Sequence, residues 1–325
     1  MDFIKYQQLF VNDLEDTTFL ADPANLYEPF NYIMHLGGKR LRPTALLMST
    51  DVFGGDMNLA KSAAMAIEVF HNFTLAHDDI MDEAPLRRGQ ATVHMKYDVN
   101  TAILSGDLML IDSYDRLFEY AKHPHFAEIL NCFNEAARLV CHGQQLDVDF
   151  ETRTAVQEQE YLTMIEWKTA VLFAAGLKIG ALLANTSLDL ANKIYDYGIN
   201  VGLAFQVQDD ILDSFGDPDK FGKKVGGDIL QAKKTLLVIK TLEYISDGDL
   251  ASFEASFESK DMAEDKKVSV IKDYFKNAGA LAYAEDLKNN YRKQADQLID
   301  SIVKQGYPKA TIFNDLSTFL LGRES

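Results

Sequence analysis

Little in this sequence breaks or staples the chain. Among 325 residues there are seven prolines and two cysteines, and no Pro-, Ser- or Gly-rich run marks a linker, so a single domain over residues 1–325 is expected. Cys132 and Cys141 are too few for a disulfide framework and lack metal-ligand spacing; they read as buried free thiols in a reducing compartment. No stretch approaches the roughly 18 consecutive apolar residues of a membrane span, and residues 1–16 carry charges throughout, without the apolar core of a signal peptide. A cytoplasmic protein with no transmembrane segment is expected. Positive charge is scarce as well: 32 Lys and Arg against 49 Asp and Glu give a formal charge of −17. That balance opposes nucleic-acid or anionic-membrane binding over the surface at large. There is no P-loop or strand-borne dinucleotide fingerprint, and no His/Cys cluster of the kind that holds zinc.

What the chain does have is apolar content, 47% of its residues, recurring at helical rather than alternating spacing. An all-α fold is expected, built as one large helical bundle. A first helix is predicted over residues 3–20. A second carries Leu26, Phe30, Ile33 and Met34 on one face and stops at Gly37-Gly38. The basic turn Lys39-Arg40-Leu41-Arg42 follows, with Pro43 placed to open the next helix. Three cations at a helix junction can be solvated surface or, helped by the helix dipole and backbone N–H groups, an anion site. Further helices are predicted over 57–83, 98–122, 125–150, 156–184 and 188–214. From 236 onward the pattern is helical and charged, with turns at Asp247-Gly248-Asp249 and over 259–265.

The chemistry is concentrated in two aspartate sets, Asp78, Asp79 and Asp82, then Asp209, Asp210 and Asp213. Asp78 and Asp82 are one helical turn apart and share a face, where like charges repel. One such pair could be a solvated acidic face; two copies inside apolar helical patterns point to a bound cation. Each set is followed by basic residues: Arg87 and Arg88 after the first, Lys223, Lys224, Lys233 and Lys234 after the second. Oxygen ligands suit Mg²⁺, which takes one or two carboxylates and completes its shell with water and substrate phosphates. Arginine grips phosphate oxygens in a fork. A diphosphate ligand follows, and without a nucleotide site the apolar helical setting points to an isoprenoid diphosphate.

Several segments together resemble the trans-polyprenyl diphosphate synthase family. They are Gly-Gly-Lys-Arg-Leu-Arg-Pro (37–43), His-Asp-Asp-Ile-Met-Asp (77–82) with Arg87-Arg88-Gly89, Gly143-Gln144 with Asp147, Lys168-Thr169, and Gly202 with Phe205-Gln206 and Asp209-Asp210-Ile211-Leu212-Asp213. They fall in the family's order over residues 30–240. The resemblance implies a helical bundle around a central cavity, the isoprenoid synthase type I fold, and a homodimer. It implies a Mg²⁺ cluster of three ions with substrate bound, Mn²⁺ being an alternative, ligated by Asp78, Asp82 and Asp209 and supported by Asp79, Asp210 and Asp213. It further implies that Arg87, Lys168, Lys223 and Lys233 hold the allylic diphosphate, while Lys39, Arg42, His71 and Arg88 hold isopentenyl diphosphate. Carbonyls and the hydroxyl around Lys168-Thr169, with the side chain of Gln206, resemble the family's groups for stabilising a carbocation.

The implied activity is head-to-tail condensation of isopentenyl diphosphate with allylic diphosphates. Phe73, Thr74 and Phe70 lie five, four and eight residues before Asp78, below the carboxylates on the same helix. A bulky residue at the position of Phe73 resembles short-chain synthases, so a twenty-carbon product, geranylgeranyl diphosphate, is expected before farnesyl diphosphate or longer chains. Phe70 and Phe73 can equally be ordinary core. A terpene cyclase would lack the basic turn at 39–42 and carry an Asn/Ser/Glu metal motif in place of the second aspartate set. A non-catalytic subunit of a heteromeric synthase would tend to lose motif residues that are intact here.

Overall fold

A computed structural model describes residues 3–217 and 225–322. Helices α1 (Ile4–Glu15), α2 (Ala24–Met34), α3 (Leu41–Val52), α4 (Met57–Met81), α5 (Val93–Lys96), α6 (Val99–Phe118), α7 (Phe126–Thr152), α8 (Glu158–Ile165), α9 (Val171–Leu183) and α10 (Leu188–Phe215) succeed one another. Further helices span Gly227–Leu230, Leu236–Tyr244, Asp247–Glu258, Glu264–Asn277, Ala280–Lys304 and Ile312–Leu321. The all-α expectation holds. Among the described residues the sole departure is a hairpin of two short strands, β1 (Leu86–Arg87) and β2 (Gln90–Ala91), where the sequence reads as a plain loop.

Two boundaries differ from the sequence pattern for local reasons. The first helix ends at Glu15, not near residue 20, because the Thr17 hydroxyl donates to the Asp13 carbonyl at 2.7 Å and closes the last turn. Phe19 is then free of the helical register and stacks on Phe30, ring centroids 4.5 Å apart. Asp247-Gly248-Asp249 is the first turn of a helix and not a turn between helices. Carboxylates there favour the positive end of the helix dipole.

The chain forms two compact units, Met1–Glu135 with Ala175–Tyr195, and Ala136–Ala174 with Asp196–Ser325. In the first, α4 is the central element. Asp56 caps its N-terminus by accepting from the Asn58 N–H at 2.9 Å. Ala60, Ala63, Ala64 and Ala66 bury it nearly all round, and small side chains let α3 and α6 approach. Ser49 and Thr50 on α3 donate to the carbonyls of Leu177 and Gly180, at 2.7 and 3.1 Å, and tie α9 to the same unit.

The second unit has its own apolar core, with Phe150, Tyr161, Val207, Ile211, Leu237, Phe253, Ile271 and Phe275 among its members. Burying each such side chain contributes about 1.5–3 kcal/mol. Its α8 opens with a reciprocal cap between Gln157 and Glu160, and Arg153 clamps the Glu160 carboxylate through two bonds of 2.8 Å. Between α8 and α9 the backbone widens into a π-type turn over Glu166–Ala170. The Val171 N–H there bonds five residues back to Glu166. Turns of this kind are uncommon within helices and concentrate at functional positions.

Candidate active site

In the first unit Asp78 lies in the last turn of α4 and Asp82 is its C-cap, the Asp82 N–H bonding to the Asp78 carbonyl at 2.9 Å. Two carboxylates at the negative end of a helix dipole are held against both the dipole and each other. Asp79 faces inward and is 1% exposed. The Arg87 Nε–H donates to Asp79 Oδ2 at 2.8 Å, and Arg87 Nη2 makes ion-pair contacts with Asp79 Oδ1 at 2.7 Å and Asp78 Oδ2 at 3.6 Å.

The β1–β2 hairpin places the second arginine. Arg88 and Gly89 have φ of 54° and 75°, the two left-handed positions that a tight two-residue hairpin turn requires. The Arg88 guanidinium donates to the Gly37 carbonyl. A Cβ on Gly38 would lie 2.6 Å from Arg88 Cζ, so glycine is what lets the guanidinium lie on that turn. Arg42 Nη1 reaches His71 Nε2 at 3.1 Å. Burial, reinforced by Arg42 and Arg88, holds the His71 imidazole well below its usual range, so it is neutral. The guanidinium has only donors, so His71 Nε2 accepts and the ring proton sits on Nδ1. Arg42 Nε is buried without a partner, the kind of orphan donor that an anion would satisfy. Lys39 is exposed on the same turn.

Arg40 departs from the apparent run of three solvated cations. It adopts φ 48° and is 5% exposed, with Nη1 2.5 Å from Glu68 Oε1 and Nη2 donating to the Met34 carbonyl. Glu68 also accepts from Asn72 at 3.1 Å. The turn therefore leaves Lys39 exposed, keeps Arg42 beside His71, and holds Arg40 as an internal anchor.

Below the carboxylates, Phe73 lies 4.9 Å from the His77 ring and 5.5 Å from Phe70, which in turn lies 5.2 Å from Phe133. Phe70 and Phe133 are buried, and Phe73 is half-buried. The Thr74 hydroxyl donates to the His71 carbonyl at 2.8 Å.

In the second unit Lys168 and Thr169 occupy the π-type turn. Lys168 Nζ donates to Asp147 Oδ2 at 2.6 Å. A Cβ on Gly143 would fall 2.4 Å from the Lys168 backbone nitrogen, so α7 meets the turn in direct backbone contact. The Thr169 hydroxyl donates to Gln206 Oε1 at 3.3 Å. On α10, Asp209 and Asp213 are half-buried, and Asp213 Oδ2 accepts from the Asp228 N–H at 2.9 Å. Asp210 is buried and accepts from the Tyr161 hydroxyl and, at 3.4 Å, from Gln206 Nε2. Burial, then Asp228, pushes the Asp210 carboxyl up to about 8, against the opposing bonds from Tyr161 and Gln206. Lys233 is exposed, and Lys234 donates to the Phe150 carbonyl at 2.9 Å. Lys223 and Lys224 lie outside the described residues.

A family model described as Polyprenyl synthetase matches residues 23–274. The chain belongs to the polyprenyl synthetase family. It is 40% identical over 298 residues to the geranylgeranyl diphosphate synthase of Sulfolobus acidocaldarius, covering 90% of this chain and 88% of that one. It is 36% identical over 306 residues to the geranylgeranyl diphosphate synthase of Methanosarcina mazei, covering 93% and 91%. A crystal structure of a geranylgeranyl pyrophosphate synthase superposes with a TM-score of 0.92 at 43% identity over 99% of both chains.

For a polyprenyl synthetase the donor sets fit Mg²⁺. Among the described residues no three His, Cys, Asp or Glu side chains converge into a ready-made cage. A Mg²⁺ site built from one or two carboxylates and the substrate's own phosphates needs none. Sequence reasoning missed Tyr161, Glu68 and the role of Arg40. Tyr161 sits in an apolar stretch of α8 and reads as core, and Glu68 is one acidic residue among many; the only available cue was a charge inside an apolar stripe. Expected as a buried thiol, Cys141 is exposed on α7, whereas Cys132 is buried as expected. No described helix is long and apolar enough to cross a membrane.

Proposed function

We propose that this polyprenyl synthetase is a Mg²⁺-dependent trans-prenyltransferase that joins isopentenyl diphosphate to allylic diphosphates head-to-tail and makes geranylgeranyl diphosphate. The observation that carries this is a complete set of family motifs in a chain whose matched relatives from Sulfolobus acidocaldarius and Methanosarcina mazei are geranylgeranyl diphosphate synthases at 40% and 36% identity. Product length has further support in Phe73, backed by Phe70 and Phe133, which puts a bulky aromatic layer below Asp78. The family match runs across residues of both compact units, in keeping with residues 1–325 acting as one domain.

Asp78, Asp82 and Asp209 would hold Mg²⁺, supported by Asp79, Asp210 and Asp213. When bound, the ions neutralise charge that develops on the departing diphosphate. Arg87, Lys168 and Lys233, with Lys223, grip that diphosphate, and the allylic C–O bond breaks with its electron pair leaving on oxygen. Lys39, Arg42, His71 and Arg88 hold isopentenyl diphosphate, with His71 Nδ1–H as a neutral donor beside the guanidinium groups. Thr169, Gln206 and the carbonyls of the π-type turn face the carbocation with oxygen lone pairs. The isopentenyl double bond attacks the cation to form the new C–C bond, and the released diphosphate takes the proton that restores a double bond. Exclusion of water keeps the cation from being quenched.

A homodimer is the expected assembly. On α6, Leu104, Ile111 and Phe118 recur every seven residues and are 58, 57 and 53% exposed, an apolar seam suited to a second copy of the same helix.

The deciding experiment incubates purified protein with isopentenyl diphosphate, dimethylallyl diphosphate and Mg²⁺ and sizes the product by mass spectrometry. A twenty-carbon diphosphate is expected, and Asp78→Ala should abolish it while circular dichroism is unchanged. No allylic product at all would favour a non-catalytic subunit; fifteen or twenty-five carbons would correct the chain length alone.

A further inference from the structure

Gln206 is useful to a carbocation only if its carbonyl oxygen, and not its NH₂, faces the reacting carbon. The two ends of a side-chain amide have nearly the same shape, so packing alone does not choose between them, and the hydrogen-bond network must. In this structure the choice is made by a chain of three contacts. Thr169 donates its hydroxyl to Gln206 Oε1 at 3.3 Å, and Gln206 Nε2 donates to Asp210 Oδ1 at 3.4 Å. The Tyr161 hydroxyl makes a short contact with the other oxygen, Asp210 Oδ2. Tyr161 and Asp210 are 2% and 5% exposed, so water does not compete for either group.

The phenol has the decisive place. A carboxylate offers acceptors at both oxygens, and a carboxylic acid would put its proton on one of them. The Tyr161 hydroxyl donates to Oδ2, and Oδ1 accepts from Gln206 Nε2. Oδ1 is left as an acceptor only. Facing an acceptor, Gln206 must present its NH₂, and its Oε1 is turned toward the Thr169 hydroxyl. Both Asp210 oxygens are thereby engaged with protein donors.

We propose that Tyr161 is a positioning residue that fixes the Gln206 amide, through Asp210, with its carbonyl oxygen toward the carbocation. This rests on the prenyltransferase reading above. Tyr161 touches no substrate; it acts on the orientation of the group that does.

The test is steady-state kinetics of Tyr161→Phe, which removes only the hydroxyl, in a cycle with Gln206→Leu. For Tyr161→Phe, kcat should fall roughly tenfold, with KM for both diphosphates and the Mg²⁺ concentration for half-maximal rate unchanged. The share of allylic diphosphate lost to water as alcohol should rise. Tyr161→Phe/Gln206→Leu should be no slower than Gln206→Leu alone, because the hydroxyl has nothing left to orient. Unchanged kcat in Tyr161→Phe, additive losses in the double variant, or a raised Mg²⁺ requirement would each overturn the proposal. If Tyr161→Phe does not fold, Tyr161→Met replaces it in the cycle with the same expected and overturning results. A wild-type protein without prenyltransferase activity would instead sink the parent reading.

Discussion

Glu68→Leu tests the anchor beneath the basic turn. The substitution keeps much of the side-chain volume but leaves the Arg40 guanidinium, 5% exposed, with the Met34 carbonyl in place of a carboxylate 2.5 Å away. At that separation and an effective dielectric near 20 the Coulomb attraction is about 6–7 kcal/mol, partly offset by the cost of taking both ions out of water. Removing one partner of such a buried pair costs about 3–5 kcal/mol. With unfolding entropy near 2.1 cal/mol/K per residue, the melting temperature should fall by about 6 °C if all 325 residues unfold together. The fall should be roughly twice that if the first compact unit melts alone. Differential scanning calorimetry reads this directly. Arg40→Met/Glu68→Leu, which removes both charges, should recover most of the loss. Because Arg40 sits between Lys39 and Arg42, the single variant should also raise KM for isopentenyl diphosphate. A shift under about 1 °C, or a double variant no more stable than Glu68→Leu, would show that the pair does not anchor the turn.

Three other outcomes follow from separate observations. Phe73→Ala should lengthen the product by one isoprene unit and no more, because Phe70 stands 5.5 Å behind it; chain-length analysis that shows no change would return Phe73 to ordinary core. His71 is held neutral in the folded state, so below pH 6.5 the unfolded chain binds a proton that the folded chain refuses. Stability therefore falls as pH drops from 7 toward 5, and His71→Asn should flatten that slope in urea titrations without ligand; an unaltered slope would contradict the assignment. Cys132 is buried, which pushes its thiol up to about 12, while Cys141 is exposed, so a thiol reagent at pH 8 should label one equivalent per chain, at Cys141 by peptide mapping. Rapid labelling of Cys132 in folded protein would be incompatible with the packing around it.

Periodicity carried most of the fold. The stripe Ile67, Phe70, Thr74 and Asp78 announces α4 and its direction, and the repetition of the Asp78–Asp82 spacing at Asp209 and Asp213 points to a cation. What periodicity cannot report is a change of register inside a helix. The π-type turn at Glu166–Ala170 interrupts no apolar pattern, and Gly143 of α7 meets it in direct backbone contact, a tertiary fact. Arg40 is misleading for the same reason. In sequence it is one of three cations in four residues, whereas in the structure it has a left-handed backbone and pairs inward with Glu68. Cys141 fails as a buried thiol because its turn of α7 points outward, which composition cannot tell.

The pairing of the cations proposed to hold the allylic diphosphate was equally invisible in the sequence, and on that proposal it bears on how the site rests between turnovers. Arg87 is held by Asp79 and Lys168 by Asp147, each carboxylate belonging to a motif that the sequence singled out for other reasons. A half-buried cation without a partner would bear a desolvation cost and drift among rotamers. Paired with a carboxylate, it is kept in position; the half-exposed Lys168–Asp147 pair adds only about 0–1 kcal/mol of stability. Such a pair is easily exchanged for a diphosphate, whose greater charge and several acceptor oxygens outcompete one carboxylate. On the proposed function, the acidic residues beside the cations would be placeholders for the substrate's own charge. An overall charge of −17 is then compatible with binding two diphosphates, because the cations that matter are concentrated at fixed points and held ready there.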